Sequence, residues 1–148
     1  MRPAGRGAAA YARAVRPTRP MHLMLSFLLL EAVAQAPAFV GRWRPASFPV
    51  EAPALCRAAS LEFRGDGTVL SRSGNQVLTA KYATQERGSG FVLLLRDLTI
   101  NDQPNCQGFS PQYVLDNHVS QLYVEVVGDT AKIGGGPSAP SMVMYRAP

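Results

Sequence analysis

Two cysteines and two histidines are the whole supply of thiol and imidazole groups in 148 residues. One histidine, His22, sits in the N-terminal quarter, which leaves His118 alone in the rest. That shortage excludes most site chemistry. A single histidine and two cysteines 50 positions apart do not make a zinc site. A nucleophilic serine would have His118 as its one imidazole base, and the nearest approach to a nucleophile elbow, Gly88-Ser89-Gly90, lacks the G-x-S-x-G spacing. Asp66 and the Asn101/Asp102/Asn105 group lack the ligand spacing of a calcium loop. Gly134-Gly135-Gly136 lacks the lysine and the following helix of a phosphate loop. These segments read as turns, and no catalytic residue, metal or cofactor is expected. His118 is the base an enzymatic reading would have to use.

What the chain does have in excess is arginine, and its distribution matters more than its count. Arg2, Arg6, Arg13, Arg16 and Arg19 precede the apolar run Met21-His22-Leu23-Met24-Leu25-Ser26-Phe27-Leu28-Leu29-Leu30, and Ala32-Val33-Ala34 and Ala34-Gln35-Ala36 follow as overlapping small-residue sites. Positive, apolar and small in that order predicts a secretory signal peptide over residues 1–34. Cleavage after Ala34 is favoured, because cleavage after Ala36 would leave Pro37 first. The apolar run falls short of the ~20 residues that span a bilayer. An arginine-rich transit peptide would need a serine-bearing amphipathic helix, and residues 1–20 contain no serine. A lipoprotein would need a thiol at the cleavage point, and the first cysteine is Cys56. The leader holds five arginines and one acid, Glu31; it therefore carries +4 of the formal +5, and the ten basic and nine acidic groups beyond it leave +1. With no basic cluster past Arg42 and Arg44, nucleic-acid binding is not expected.

Residues 35–148 are long enough for one domain with a real core. In an oxidising compartment, Cys56 and Cys106 are most simply a disulfide, the alternative being two buried thiols. Strand signals dominate. Phe39 to Trp43 opens, and prolines at 45, 49 and 53 then forbid a central strand and read as an extended connection or edge. Leu61 to Arg64, the turn Gly65-Asp66-Gly67 and Thr68 to Arg72 form a hairpin. Gln76 to Thr84 follows, with Leu78, Ala80 and Tyr82 on one face, and is broken at Glu86 to Gly90. Phe91 to Leu95 is apolar on both faces, which predicts a central strand or one covered outside. Ser110 as cap with Pro111 at the first helical position, and Leu115, Val119 and Leu122 in step, predict a helix of two or three turns. Leu122 to Val127, Thr130 to Ile133 and Met142 to Arg146 complete the set. The fold class is therefore mainly β: one small antiparallel barrel or closed sheet of about eight strands with a short inserted helix. No apolar run beyond the leader could span a membrane.

Trp43, the one tryptophan, stands two residues after Gly41. In a small barrel such a residue closes the end of the core, and Arg146 on the last strand is the candidate cation to cover it. Gly41-Arg42-Trp43 resembles the first strand of lipocalin-like barrels. The order downstream is similar to the META/heat-shock-protein-like family of bacterial envelope proteins: Trp43, the hairpin Leu61-Glu62-Phe63-Arg64-Gly65-Asp66-Gly67-Thr68-Val69, Tyr82, Cys106 ahead of the Ser110 helix, Gly128-Asp129-Thr130-Ala131-Lys132-Ile133, and Tyr145-Arg146. That family's Gly-Cys-Asn is Ser73-Gly74-Asn75 here, so its disulfide is not implied. The resemblance implies a non-enzymatic role in the envelope.

The expected protein is a periplasmic or secreted barrel that binds an apolar small molecule or an envelope component; the alternative is an inhibitor of a protease or lysozyme, using Pro45 to Pro53 as a rigid strand. A hollow interior of ~300 Å³ or more favours a small molecule, and a filled one favours surface recognition. Expression in an export-competent host is expected to yield a product that begins at Gln35 and lacks the two thiol hydrogens. Intact-mass measurement reads both, and a full-length species with two free thiols contradicts both expectations.

Overall fold

A computed structural model describes residues 35–148, and the predicted leader lies outside the described residues. Eight antiparallel strands form a closed barrel, each paired with its neighbours in sequence: β1 Gly41–Pro45, β2 Ser60–Phe63, β3 Thr68–Ser73, β4 Gln76–Arg87, β5 Gly90–Ile100, β6 Gln121–Val127, β7 Thr130–Gly134 and β8 Ser141–Arg146. Closure comes from β1, which pairs β2 through Trp43↔Leu61 and β8 through Trp43↔Arg146. Each of these eight strands has a paired neighbour on both sides, so the barrel has no edge strand, the usual liability of an open sheet.

The period-2 pattern explains which side chains face in. Phe63, Val69, Ala80, Leu93, Val124, Ala131 and Met144, one from each of seven strands, are all buried and pack as one cluster. Burying such side chains contributes roughly 1.5–3 kcal/mol each for the larger ones, so the inward face is what fixes register. Turn chemistry assists. In the β2–β3 hairpin the Asp66 carboxylate accepts from the Thr68 backbone N–H at 2.9 Å and the Thr68 hydroxyl at 2.6 Å. Those bonds, the hydroxyl's first, hold the Asp66 carboxyl below its ordinary value. Gly67 takes φ 84°, a conformation that glycine adopts without steric cost.

Four boundaries differ from the sequence expectation. Phe39 and Val40 lie outside β1; Phe39 is fully buried instead as part of a segment that enters the barrel end. The predicted break over Glu86 to Gly90 narrows to the turn Gly88-Ser89. β4 runs on to Arg87, because Gly88 at φ 61° allows a two-residue turn that pairs Arg87 with Gly90. β5 extends to Ile100, past an irregularity between Thr79 and Lys81 where Asp97 takes φ 54° and pairs with Lys81 at 3.3 Å. The helix, α1, is short, Pro111–Asp116. Ser110 accepts from the Tyr113 N–H as a cap should, but Asn117 ends the helix by donating both its backbone N–H and its side-chain amide to the Tyr113 carbonyl. Val119 falls beyond it, and Leu122 belongs to β6. Between β1 and β2 the proline-rich stretch is a connection, as expected, with one 3₁₀ turn at Ala54–Ala58.

On β5 the doubly apolar run splits by depth. Leu93 is fully buried within, while Leu94 on the outer face remains 48% exposed. Leu93→Ala is expected to cost 2–5 kcal/mol, roughly the range for a large buried aliphatic residue. Leu94→Ala should stay within about 0.5 kcal/mol. Denaturant unfolding of the two variants checks the assigned faces, and equal losses would contradict them.

Candidate functional site

The two ends of the barrel are built from different residue types. One end is stoppered. Residues 37–40 cross it, turned by the Val40 N–H to Pro37 carbonyl bond, and deliver Phe39 into a cage of rings. Phe39 meets Phe63, Tyr82 and Phe91 edge-on at 5.5, 5.8 and 4.9 Å between centroids. Trp43 lies fully buried above it and donates its indole N–H to the Phe39 carbonyl at 2.8 Å. Burial holds the Tyr82 phenol above its ordinary value, and its hydroxyl donates to the Arg64 carbonyl.

Arg146 fastens the stopper from outside. Its guanidinium lies 4.3 Å from the Trp43 ring centroid and donates to the Val40 carbonyl at 3.0 Å and the Ala38 carbonyl at 2.7 Å. The ion pair to Asp129 at 3.6 Å is exposed and adds little. Gly41 is required by this arrangement. It takes φ 136°, and a Cβ there would stand 2.6 Å from Arg146 Nη1. The Gly-x-Trp spacing is thus a clearance for the arginine.

At the other end the inward positions are leucine, serine and methionine, and they leave space. One cavity of about 260 Å³ lies among Leu61, Ser71, Leu78, Leu98 and Leu122, with Val114, His118 and Val119 of the α1 segment over it. A second, of about 320 Å³, shares Leu61, Ser71 and Leu122 and extends to Ile133, Met142 and Met144. Pro45, Ala59 and Ser73 carry its wall into a cleft of about 450 Å³ beneath the proline-rich connection, where Phe48, Pro49 and Pro53 face Cys56 and Cys106. The walls of all three are mainly apolar. Ser71, common to both inner cavities, makes no side-chain hydrogen bond among the described residues and is not a buried unpaired group, so its hydroxyl is open to water or an occupant.

The residues singled out in the sequence fall in two places. Trp43 and Arg146 meet at the stoppered end. Cys56 and Cys106 are disulfide-bonded beside the open one, with Cα atoms 5.0 Å apart. His118 is exposed at the mouth, with Nδ1 against the Leu115 carbonyl and no carboxylate partner among the described residues. No group of three or more His, Cys, Asp or Glu converges among the described residues, and no helix there is long and apolar enough to cross a membrane. The cavity wall itself was not anticipated. Its signal was Ser71: in the inward series Val69, Ser71 a small polar residue stands where a large apolar one would fill the barrel. No family model, curated protein or solved structure matches the chain.

Arg146→Met removes a cation–π contact and two charge-assisted hydrogen bonds, and is expected to cost about 2–4 kcal/mol. It should also shift Trp43 emission to the red as water reaches the ring. Unchanged stability and emission would show that the stopper holds without its arginine.

Proposed function

We propose that this is a non-enzymatic exported protein that binds an apolar small molecule in the open mouth of its barrel. The observation that carries the reading is the pair of adjoining cavities around Leu61, Ser71 and Leu122, about 260 and 320 Å³. Their size reaches the lower end of the range usual for small-molecule sites, and their walls are apolar with a few polar groups, Ser71 and His118 among them. Enclosure in such a wall removes a ligand's apolar surface from water at roughly 25 cal/mol per Å². A periplasmic or extracellular setting is part of the proposal; the Cys56–Cys106 disulfide supports it, since such bonds persist outside reducing compartments.

The enzymatic alternative would rest on His118, whose Nδ1 meets the Leu115 carbonyl and which has no carboxylate partner among the described residues. A second reading has one specific feature behind it. Val50, at the tip of the proline-rich connection, is 95% exposed, as a loop that inserts into a hydrolase would be. Protease and lysozyme inhibition assays test that reading.

Titration with the neutral fluorophore N-phenyl-1-naphthylamine tests the main proposal. Saturable binding at one equivalent is expected. Ser71→Leu should fill the shared wall, weaken the probe at least tenfold, and leave the melting temperature unchanged or higher. Absence of saturable binding, or full binding by the Ser71→Leu protein, would overturn the assignment.

A further inference from the structure

The connection over the mouth, residues 46–59, is fastened to the barrel in an unusual way. Its first residue is tied, by the Ala46 N–H to Val143 carbonyl bond. From residue 47 to residue 58, however, the hydrogen bonds are all internal to the strap and its end: Ala52 to Pro49, Cys56 to Pro53, Ala59 to Cys56. Pro49 and Pro53 explain part of this, since each lacks a backbone donor. The Cys106 side is the opposite case. Gln76 donates to the Gln103 carbonyl at 2.8 Å, Cys106 N–H donates to Ser73 Oγ at 3.2 Å, and Asn101 bonds Asn75 and Val77. That loop is moored to the β3–β4 turn, and a Cβ at Gly74 would stand 3.2 Å from the Cys106 Cα.

We propose that the Cys56–Cys106 disulfide is a latch: it is the main tie between the strap and a fixed loop, and it sets how fast a ligand enters and leaves the mouth. The inference rests on the binding reading above. The cleft beneath the strap shares the wall residues Pro45, Ala59, Ser73 and Met142 with the inner cavity, so a strap that swings away exposes that shared wall. A dithiol would open the latch by exchange. One thiolate attacks Cys106, the less buried partner, and Cys56 leaves as a thiolate. The second thiol of the reagent then displaces Cys106, so both cysteines end as thiols and the reagent as a disulfide. The closed state keeps the ligand, and the reduced state exchanges it.

The test compares the wild-type protein with Cys56→Ser/Cys106→Ser and with Phe48→Ala, which trims strap packing but keeps the disulfide. Two rates are read: trypsin cleavage after the exposed strap residue Arg57, with exposed Arg87 at the end of β4 as control, and dissociation of N-phenyl-1-naphthylamine. The latch predicts at least tenfold faster cleavage at Arg57 and tenfold faster probe release in the double-serine protein, with Arg87 cleavage unchanged. Phe48→Ala should behave as wild type. Rapid Arg57 cleavage in Phe48→Ala would show that packing fastens the strap, and this arm decides the question even if the double-serine protein fails to fold. Probe that binds but leaves at one rate from all three overturns the latch while the binding reading stands. Probe that never binds overturns both.

Discussion

The barrel depends on a single stacked cation. Arg146, at the end of the last strand, lies flat on Trp43 of the first and holds two carbonyls of the segment that precedes it. Those contacts join the strand pair that closes the sheet and pin the chain that plugs it. The plug brings Phe39 to the rings of Phe63, Tyr82 and Phe91, so the bulky inward side chains gather at one end. Because packed interiors tolerate few voids, the rings fill the barrel at one end and leave a groove of about 520 Å³ beside the plug, along residues 35–40 and the β2–β3 turn, while the far end, lined by smaller residues, keeps space between its inward side chains.

Asymmetry of that kind divides labour along one short barrel. The stoppered half supplies stability through paired groups, indole to carbonyl, guanidinium to ring and carbonyls and phenol to carbonyl, although Arg42 Nε on β1, beside Trp43, is buried without a partner among the described residues. The open half keeps the Ser71 hydroxyl on an apolar wall, within reach of water or an occupant. Its coverings are correspondingly weak, namely a helix of six residues and a proline-rich strap. Local structure of low stability over a cavity is what exchange of a ligand needs.

Much of this architecture could be read from residue order. Alternation places all eight strands, and Gly-Asp turns specify two of the hairpins, β2–β3 and β6–β7, from local signals. Trp43, Gly41 and Arg146 were recognisable by spacing and residue type, because an indole that shares its strand end with glycine leaves room for a cation. Boundaries were less legible where one residue decides between two local structures. Gly88 opens a two-residue turn that lets β4 pair as far as Arg87, where a run of polar and small residues suggests an earlier break. Asn117 stops α1 with two bonds to one carbonyl, although the apolar spacing through Val119 suggests another turn. The cavities were invisible because a void is set by the sum of side-chain volumes across strands distant in sequence. Ser71 marks the void once its cross-strand neighbours Leu61 and Leu78 are known.

Xenon diffraction bears most directly on the division into a solid and a hollow half, because the gas enters dry apolar voids and leaves packed ones empty. Crystals equilibrated under xenon should show density among Leu61, Leu78, Leu98 and Leu122 and none around Phe39, Phe63 and Phe91. Density between the rings, or none anywhere within the barrel, would contradict the account.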